Sequence, residues 1–269
     1  MTKPAPSANL LALCALAHQA GAKIMEIYAT DFAAEAKADA SPVTEADKAA
    51  EAIILAGLAR LWPDVPVVAE EQAAAGHVPD VAAEFMLVDP LDGTREFISR
   101  NGEFTVNIAR VRAGVPVAGV VYAPALDEMF VGALGEGAFA ARLAVSDPAA
   151  GAQFHAITTR PAPETGPAIL ASRSHLDAQT KAFIDAQPGH SLVSAGSSLK
   201  FCRIAEGKAD LYPRFGRTME WDTAAGHAVL LAAGGQVRLP EGGVLAYGKP
   251  GFANTPFIAT GAAWPRISV

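Results

Sequence analysis

The sequence predicts a mixed α/β protein, and three observations predict it. Apolar residues recur at helical spacing near residues 7–29 and 44–62. Short apolar runs bounded by turn residues crowd the stretch 84–141, as the strands of a meander do. Beyond residue 150, strand-like and helix-like segments alternate, the pattern of an α/β layer. Apolar residues make up 51% of the 269 residues and charged ones 18%, which supports a sizeable core and argues against disorder.

The first helical segment, 7–29, is apolar but carries His18, Gln19, Lys23 and Glu26, so it reads as amphipathic rather than as a membrane span. Met1–Pro6 lacks a basic region followed by an apolar run, so no secretory signal is expected. The helix near 44–62 opens on Thr44-Glu45-Ala46-Asp47, which resembles a capping box. A strand at 65–69 ends at Glu70-Glu71. Another at 84–88 runs into Asp89-Pro90-Leu91-Asp92-Gly93-Thr94, after which a short helix begins. Strands at 104–112, 116–123, 128–132 and 137–141 are joined by hairpin connections at Ala113-Gly114 and Pro124–Asp127. Gly132–Gly137 has the glycines of a dinucleotide loop, but a strand follows it instead of a helix, so it reads as a turn.

Asp147–Gly151 is the expected boundary between an N-terminal α+β metal-binding domain, 1–149, and a C-terminal α/β substrate-binding domain, 150–269. In the second, strands near 153–158, 168–172, 191–194 and 209–213 alternate with helices near 177–186, 198–206 and 222–233. Asp222 reads most simply as the N-cap of the last helix.

Charge divides along the same line. Residues 1–149 hold 10 Lys+Arg against 20 Asp+Glu, and residues 150–269 hold 11 against 8, giving −10 and +3. An acidic half suits cations and a mildly basic half suits anionic substrate groups. No basic stripe points to a nucleic-acid polymer. Cys14 and Cys202 lie far apart in helix-like patterns, as buried thiols of a reducing cytosol do. The six histidines show no zinc-like spacing. The expectation is a cytoplasmic protein, with peripheral association with the inner face of the cell membrane left open. Monomer and homodimer both stay open.

The most informative stretch is Asp89–Thr94. Two carboxylates three residues apart on a tight turn, with the Leu91 carbonyl between them, can set three hard oxygens around one point, which suits Mg²⁺. The Gly93 and Thr94 amides at a helix start offer a phosphate site. The plainer reading is a strand–turn–helix with ordinary Asp-Gly turn chemistry. Asp47, Glu70 and Asp222 have equally plain readings as caps or strand-end acids. Taken together, these residues put five acids at element ends, where a scaffold can aim them into one cleft.

Val43–Asp47, Glu70-Glu71, Asp89–Thr94 and Trp221-Asp222-Thr223-Ala224-Ala225-Gly226 resemble the motif set of the inositol monophosphatase superfamily, in order and across nearly the whole chain. Glu96–Ala109, Gly196–Cys202 and Leu211–Gly216 resemble its bacterial 3′(2′),5′-bisphosphate nucleotidase branch. Ala69 departs from the Gly or Ser frequent there, without touching a ligand position.

The resemblance implies a layered αβαβα sandwich with the active site between the halves. It implies two or more Mg²⁺ ions, one on Glu70, Asp89 and the Leu91 carbonyl and another on Asp89, Asp92 and Asp222. It pairs Asp47 with Thr94 to orient or deprotonate a nucleophilic water that Glu70 supports through its metal. The Gly93 and Thr94 amides would hold the scissile phosphate, with no phosphoenzyme, and inhibition by Li⁺ is implied. Glu70, Leu91, Asp92 and Asp222 would also face the substrate.

Lys200, Ser197 and Ser198, at a strand-to-helix junction, are candidates for a second phosphate or the ribose. Arg173 and His175 follow another strand end, and Tyr212–Phe215 offers a base contact. The leading expectation is removal of the 3′-phosphate of adenosine 3′,5′-bisphosphate, with phosphoadenylyl sulfate as a further substrate, in sulfur assimilation and nucleotide recycling. The alternatives are an inositol or other sugar monophosphatase and a non-catalytic scaffold that binds metal or a phosphometabolite.

Overall fold

The strand-like runs between residues 67 and 157 pair into one seven-stranded sheet, in a computed structural model that describes residues 4–36, 42–161, 163, 166–171 and 177–262. Two helices cover one face of this sheet. Helix α1 (Ala8–Tyr28) is capped by Ser7, whose Oγ accepts the Leu10 N–H at 3.4 Å. Its buried residues Leu10, Leu13, Ala17, Ala20 and Ile24 fall three and four apart, so one stripe meets the sheet. Among the described residues α1 is the one helix long and apolar enough to cross a membrane, and half of that apolar window is buried in this core. Strands β1 (Ala34–Ala36) and β2 (Pro42–Thr44) form a short antiparallel pair. Helix α2 (Glu45–Leu61) follows directly.

The sheet runs β3 (Val67–Ala69), β4 (Glu84–Asp92), β5 (Thr105–Arg112), β6 (Val115–Ala123), β7 (Glu128–Ala133), β8 (Gly137–Arg142) and β9 (His155–Ile157), in that spatial order. Short helices α3 (Glu70–Ala74) and α4 (Thr94–Ile98) leave the ends of β3 and β4. Only β3–β4 is parallel, and the rest is an antiparallel meander. Alternation along β4 sends Met86 and Val88 into the core with α1 and α2, and Phe85 and Leu87 into the core on the other side. Strand β9 lies beyond the expected 149/150 division and still pairs with β8.

A second sheet has the order β11 (Ser191–Ser194), β10 (Ala168–Ala171), β12 (Leu211–Arg214), β14 (Phe257–Thr260), β13 (Gln236–Arg238). Helices α6 (Leu199–Ala205) and α7 (Glu220–Ala232) lie between the two sheets and share one core with Leu87, Val121, Leu170, Tyr212 and Phe257. Gly119 allows α7 to press on β6, since a Cβ there would stand 2.6 Å from the Ala225 carbonyl oxygen. Helix α5 (Ala178–Asp185) covers the outer face through Phe183 and Ile184 against Ile169, Leu211 and Ile258. The order is therefore helix, sheet, helix, sheet, helix, the αβαβα sandwich.

Further details differ from the sequence reading. Strand β4 runs on to Asp92, because pairing with β5 resumes past a bulge between Asp89 and Asp92. Helix α7 starts at Glu220, so Asp222 is its third residue and Met219 its N-cap. Strands β1, β2, β13 and β14 and the short helix α3 went unforeseen.

Candidate active site

The bulge in β4 aims Asp89 and Asp92 out of the sheet, with Asn107 and Thr105 of β5 as their register partners. Asp89 Oδ1 accepts the Leu91 N–H at 3.0 Å, which closes the turn. The Leu91 side chain is buried in the α1–α2 core and anchors it. Gly93 sits at φ 91°, and a Cβ there would meet Ser197 Oγ at 2.6 Å. Only glycine fits this approach of the two loops.

Asp47 and Thr94 meet beside this turn. Asp47 Oδ2 accepts the Thr44 N–H and the Thr44 hydroxyl, both at 2.7 Å, and so completes the capping box of α2. Its other oxygen lies 3.3 Å from Thr94 Oγ1, which is also 3.4 Å from the Leu91 carbonyl oxygen. One turn along α2, buried Glu51 accepts the Glu71 and Gln72 N–H groups at 2.8 and 3.0 Å. It thereby ties down the start of α3, where Glu70 stands. Burial pushes the Glu51 carboxyl up to about 7.

From the other side, α7 brings Asp222, whose Oδ2 accepts the Met219 N–H at 2.8 Å. The loop before α6 ties the two acidic turns together. Ser197 Oγ can donate to the carbonyl oxygen of Asp92 or of Glu103, each at 2.8 Å, and Ser198 Oγ donates to the Asp222 carbonyl at 2.7 Å. Ser198 is buried, so its hydroxyl serves this tie.

These elements enclose a cavity of about 260 Å³. Its lining combines the acids Glu70, Asp92, Glu96 and Asp222 with the cations Lys200, Arg214 and Arg217, and Gly93, Thr94, Ser197, Thr218 and Thr223 complete it. Asp89 lies buried beneath. Burial, then repulsion from Glu70, Asp92 and Asp222, raises the Asp89 carboxyl well above the usual range, and a side-chain hydrogen bond joins it to Glu70. Burial likewise raises Asp222, with Asp92 and Glu70 adding to it, and raises Asp92 to about 6. The Lys200 amine is lowered to about 8 by burial, against the pull of Asp92. It lies 3.3 Å from the Ala195 carbonyl oxygen and 5.4 Å from the centre of the Tyr212 ring.

The donor set fits Mg²⁺. Every group is a hard oxygen, and a divalent cation would relieve the mutual repulsion that raises these carboxyls. The buried Asn107 Oδ1 and Thr105 Oγ1, opposite Asp89 and Asp92, have no hydrogen-bond partner among the described residues. Among those residues the carboxylates do not close on one preformed three-ligand point. Glu70, Asp92 and Asp222 nevertheless line one cavity, and Mg²⁺, which keeps several waters and takes substrate oxygens, needs only some of its ligands from such a ring of acids.

Of the residues singled out in the sequence, the structure brings Asp47, Glu70, Asp89, Leu91, Asp92, Gly93, Thr94, Ser197, Ser198, Lys200, Tyr212 and Asp222 to this one cavity or its supports. Arg173 and His175 lie outside the described residues. Sequence reasoning missed Arg217 and Thr218, and quoted Glu96 and Thr223 without a role. Their signal was slight: Arg217 and Thr218 sit in the connection between the end of β12 and Trp221-Asp222.

The model of the inositol monophosphatase family matches residues 7–264. The 3′(2′),5′-bisphosphate nucleotidase CysQ of Salmonella typhimurium is 46% identical over 251 residues, covering 92% of this chain and 98% of that protein. The same enzyme of Escherichia coli K12 is 46% identical over 248 residues, covering 91% and 96%. The crystal structure of CysQ from Bacteroides thetaiotaomicron, described as a bacterial member of the family, superposes with a TM-score of 0.78 at 39% identity, covering 95% of this chain and 98% of that one. The inositol monophosphatase structure from Anabaena gives 0.72 at 26% identity, covering 94% and 90%. The chain belongs to the inositol monophosphatase family.

Proposed function

We propose that this chain is a Mg²⁺-dependent 3′(2′),5′-bisphosphate nucleotidase, which hydrolyses the 3′-phosphate of adenosine 3′,5′-bisphosphate to AMP and phosphate and can take phosphoadenylyl sulfate. The observation that carries the chemistry is one cavity lined by the acids Glu70, Asp92 and Asp222 together with Lys200, Arg214 and Arg217, with Asp89 buried beside them. The long, high-identity match to named nucleotidases supports the substrate. The reading places the enzyme in sulfur metabolism and in the cytoplasm, in keeping with two buried free cysteines.

Glu70, Asp89 and the Leu91 carbonyl would hold one Mg²⁺, and Asp89, Asp92 and Asp222 a second. When bound, such ions neutralise the acids, polarise the phosphate and lower the pKa of a water. Asp47 accepts from Thr94, and the Thr94 hydroxyl is thereby aimed to orient the water and pass a proton towards Asp47. The water oxygen attacks phosphorus in line, the bond from phosphorus to the ribose 3′-oxygen breaks, and that oxygen takes a proton from solvent water, while the proton left on Asp47 returns to solvent. The Gly93 and Thr94 amides hold the scissile phosphate. No side chain becomes phosphorylated. Lys200, Arg214 and Arg217 face the second anionic group, and Tyr212 supports Lys200 from behind.

Phosphate release from adenosine 3′,5′-bisphosphate tests this reading. Release with Mg²⁺, lost on addition of EDTA and regained with excess Mg²⁺, is the expected result. Binding without release would leave a non-catalytic scaffold.

A further inference from the structure

The segment 247–254 crosses behind the first turn of α7 and is fastened to it at several points. Glu220 has no exposed surface, and its carboxylate accepts the Gly248 and Lys249 N–H groups at 2.7 and 3.0 Å and the Lys249 ammonium at 2.6 Å. Asn254 Nδ2 lies 2.8 Å from the Met219 carbonyl oxygen, 3.0 Å from Thr223 Oγ1 and 3.1 Å from Thr218 Oγ1. Its backbone N–H donates to the Thr218 carbonyl at 2.9 Å. Between these anchors Phe252 packs on Trp221, and the Tyr247 hydroxyl meets Thr223 Oγ1 at 3.1 Å.

The turn so gripped, 218–223, forms one wall of the cavity: Thr218, Asp222 and Thr223 line it. Asp222 shares this cavity with Asp92 and Glu70, and carboxylates gathered in one cavity repel one another. A free helix start would relieve that push by swinging outwards. The strap blocks this from behind, with buried hydrogen bonds that are costly to break.

We propose that Glu220 and Asn254 are positioning residues that hold the Thr218–Thr223 turn, so that Asp222 stays turned into the cavity ready to take its cation. This rests on the reading of Asp222 as a metal ligand. Neither residue lines the cavity: Glu220 anchors the helix start to the Gly248 and Lys249 backbone, and Asn254 holds the Met219 carbonyl and the Thr218 and Thr223 hydroxyls.

The test uses the full chain and a readout besides turnover. Tb³⁺ bound at Asp222 would be excited by the adjacent Trp221 indole, so its luminescence reports binding at this corner, and Mg²⁺ competes it off. Asn254→Ala and Glu220→Gln should each weaken Tb³⁺ binding and raise the Mg²⁺ needed for half-maximal activity by roughly ten- to a hundredfold, the range seen when groups supporting a metal ligand are removed. KM for substrate at saturating Mg²⁺ should hardly move. If Asn254→Ala does not fold, Glu220→Gln decides alone. Folded variants with wild-type Tb³⁺ affinity and Mg²⁺ requirement would overturn the proposal, even with a lowered Tm, because the strap would then only stabilise. A wild type whose Tb³⁺ signal is absent, or survives Asp222→Asn, would overturn the metal reading itself, and the role of the strap with it.

Discussion

Thr94 Oγ1 stands 3.3 Å from Asp47 Oδ1, joining the start of α4 to the start of α2 across 47 residues of sequence. The other oxygen of the same carboxylate is spent on the Thr44 N–H and hydroxyl. Asp47 therefore caps a helix with one oxygen and faces the proposed water-orienting hydroxyl with the other. Asp47→Asn leaves one oxygen for both duties. Asn caps nearly as well as Asp, so the helix should lose well under about 1 kcal/mol. The rate should fall well over about tenfold, as for loss of a group in general acid–base catalysis. Tm and kcat measured together check this, and unchanged turnover returns Asp47 to a cap alone.

Asp92→Asn keeps the turn and removes one anionic ligand. The expected loss is about a hundredfold or more in kcat at limiting Mg²⁺, as for electrostatic groups worth several kcal/mol. Circular dichroism should show the fold kept. Near-normal activity at limiting Mg²⁺ would remove Asp92 from the metal site.

The raised carboxyls set a pH dependence with a definite sign. Asp92 titrates near 6 in the folded chain against 3.8 unfolded. The folded state thus binds more protons between these values, and the contribution of Asp92 is most favourable below about 4 and is lost as pH rises through 6. Asp89 and Asp222 shift the same way. In EDTA, the stability of the wild type relative to Asp92→Asn should fall from pH 4 to pH 7, and Mg²⁺ should reverse this. Thermal melts of both proteins across that range check it; a difference independent of pH would mean that Asp92 is not strained.

Much of this site was legible in the sequence because it rests on local chemistry. Asp89–Thr94 combines a strand end, a turn and a helix start, and Thr44–Asp47 is a capping pattern that needs no tertiary contact to be seen. Asp222 was readable as a helix-start acid, but its place at the third position depends on where α7 begins, which burial of Glu220 and Trp221 decides. Strands β13 and β14 are three and four residues long and take their identity from pairing with each other and with β12. The grip of Asn254 on the α7 turn spans more than thirty residues and leaves no local pattern.

Substrate preference should divide Lys200 from the acids it faces. Lys200→Ala should lower kcat/KM for adenosine 3′,5′-bisphosphate by about 1.5–3 kcal/mol, the range for hydrogen bonds to charged groups, and hardly affect inositol 1-phosphate, which has no second phosphate. Arg217→Ala at the exposed rim should show the same selectivity with a smaller loss. Equal damage to both substrates by Lys200→Ala would assign Lys200 to holding Asp92.

The most direct test of the central claim is kcat/KM for adenosine 3′,5′-bisphosphate beside inositol 1-phosphate, with Mg²⁺ and with EDTA. The account predicts a large preference for the bisphosphate, no turnover of either in EDTA, and recovery with Mg²⁺. A preference for inositol 1-phosphate, or turnover of the bisphosphate that EDTA leaves untouched, would contradict it.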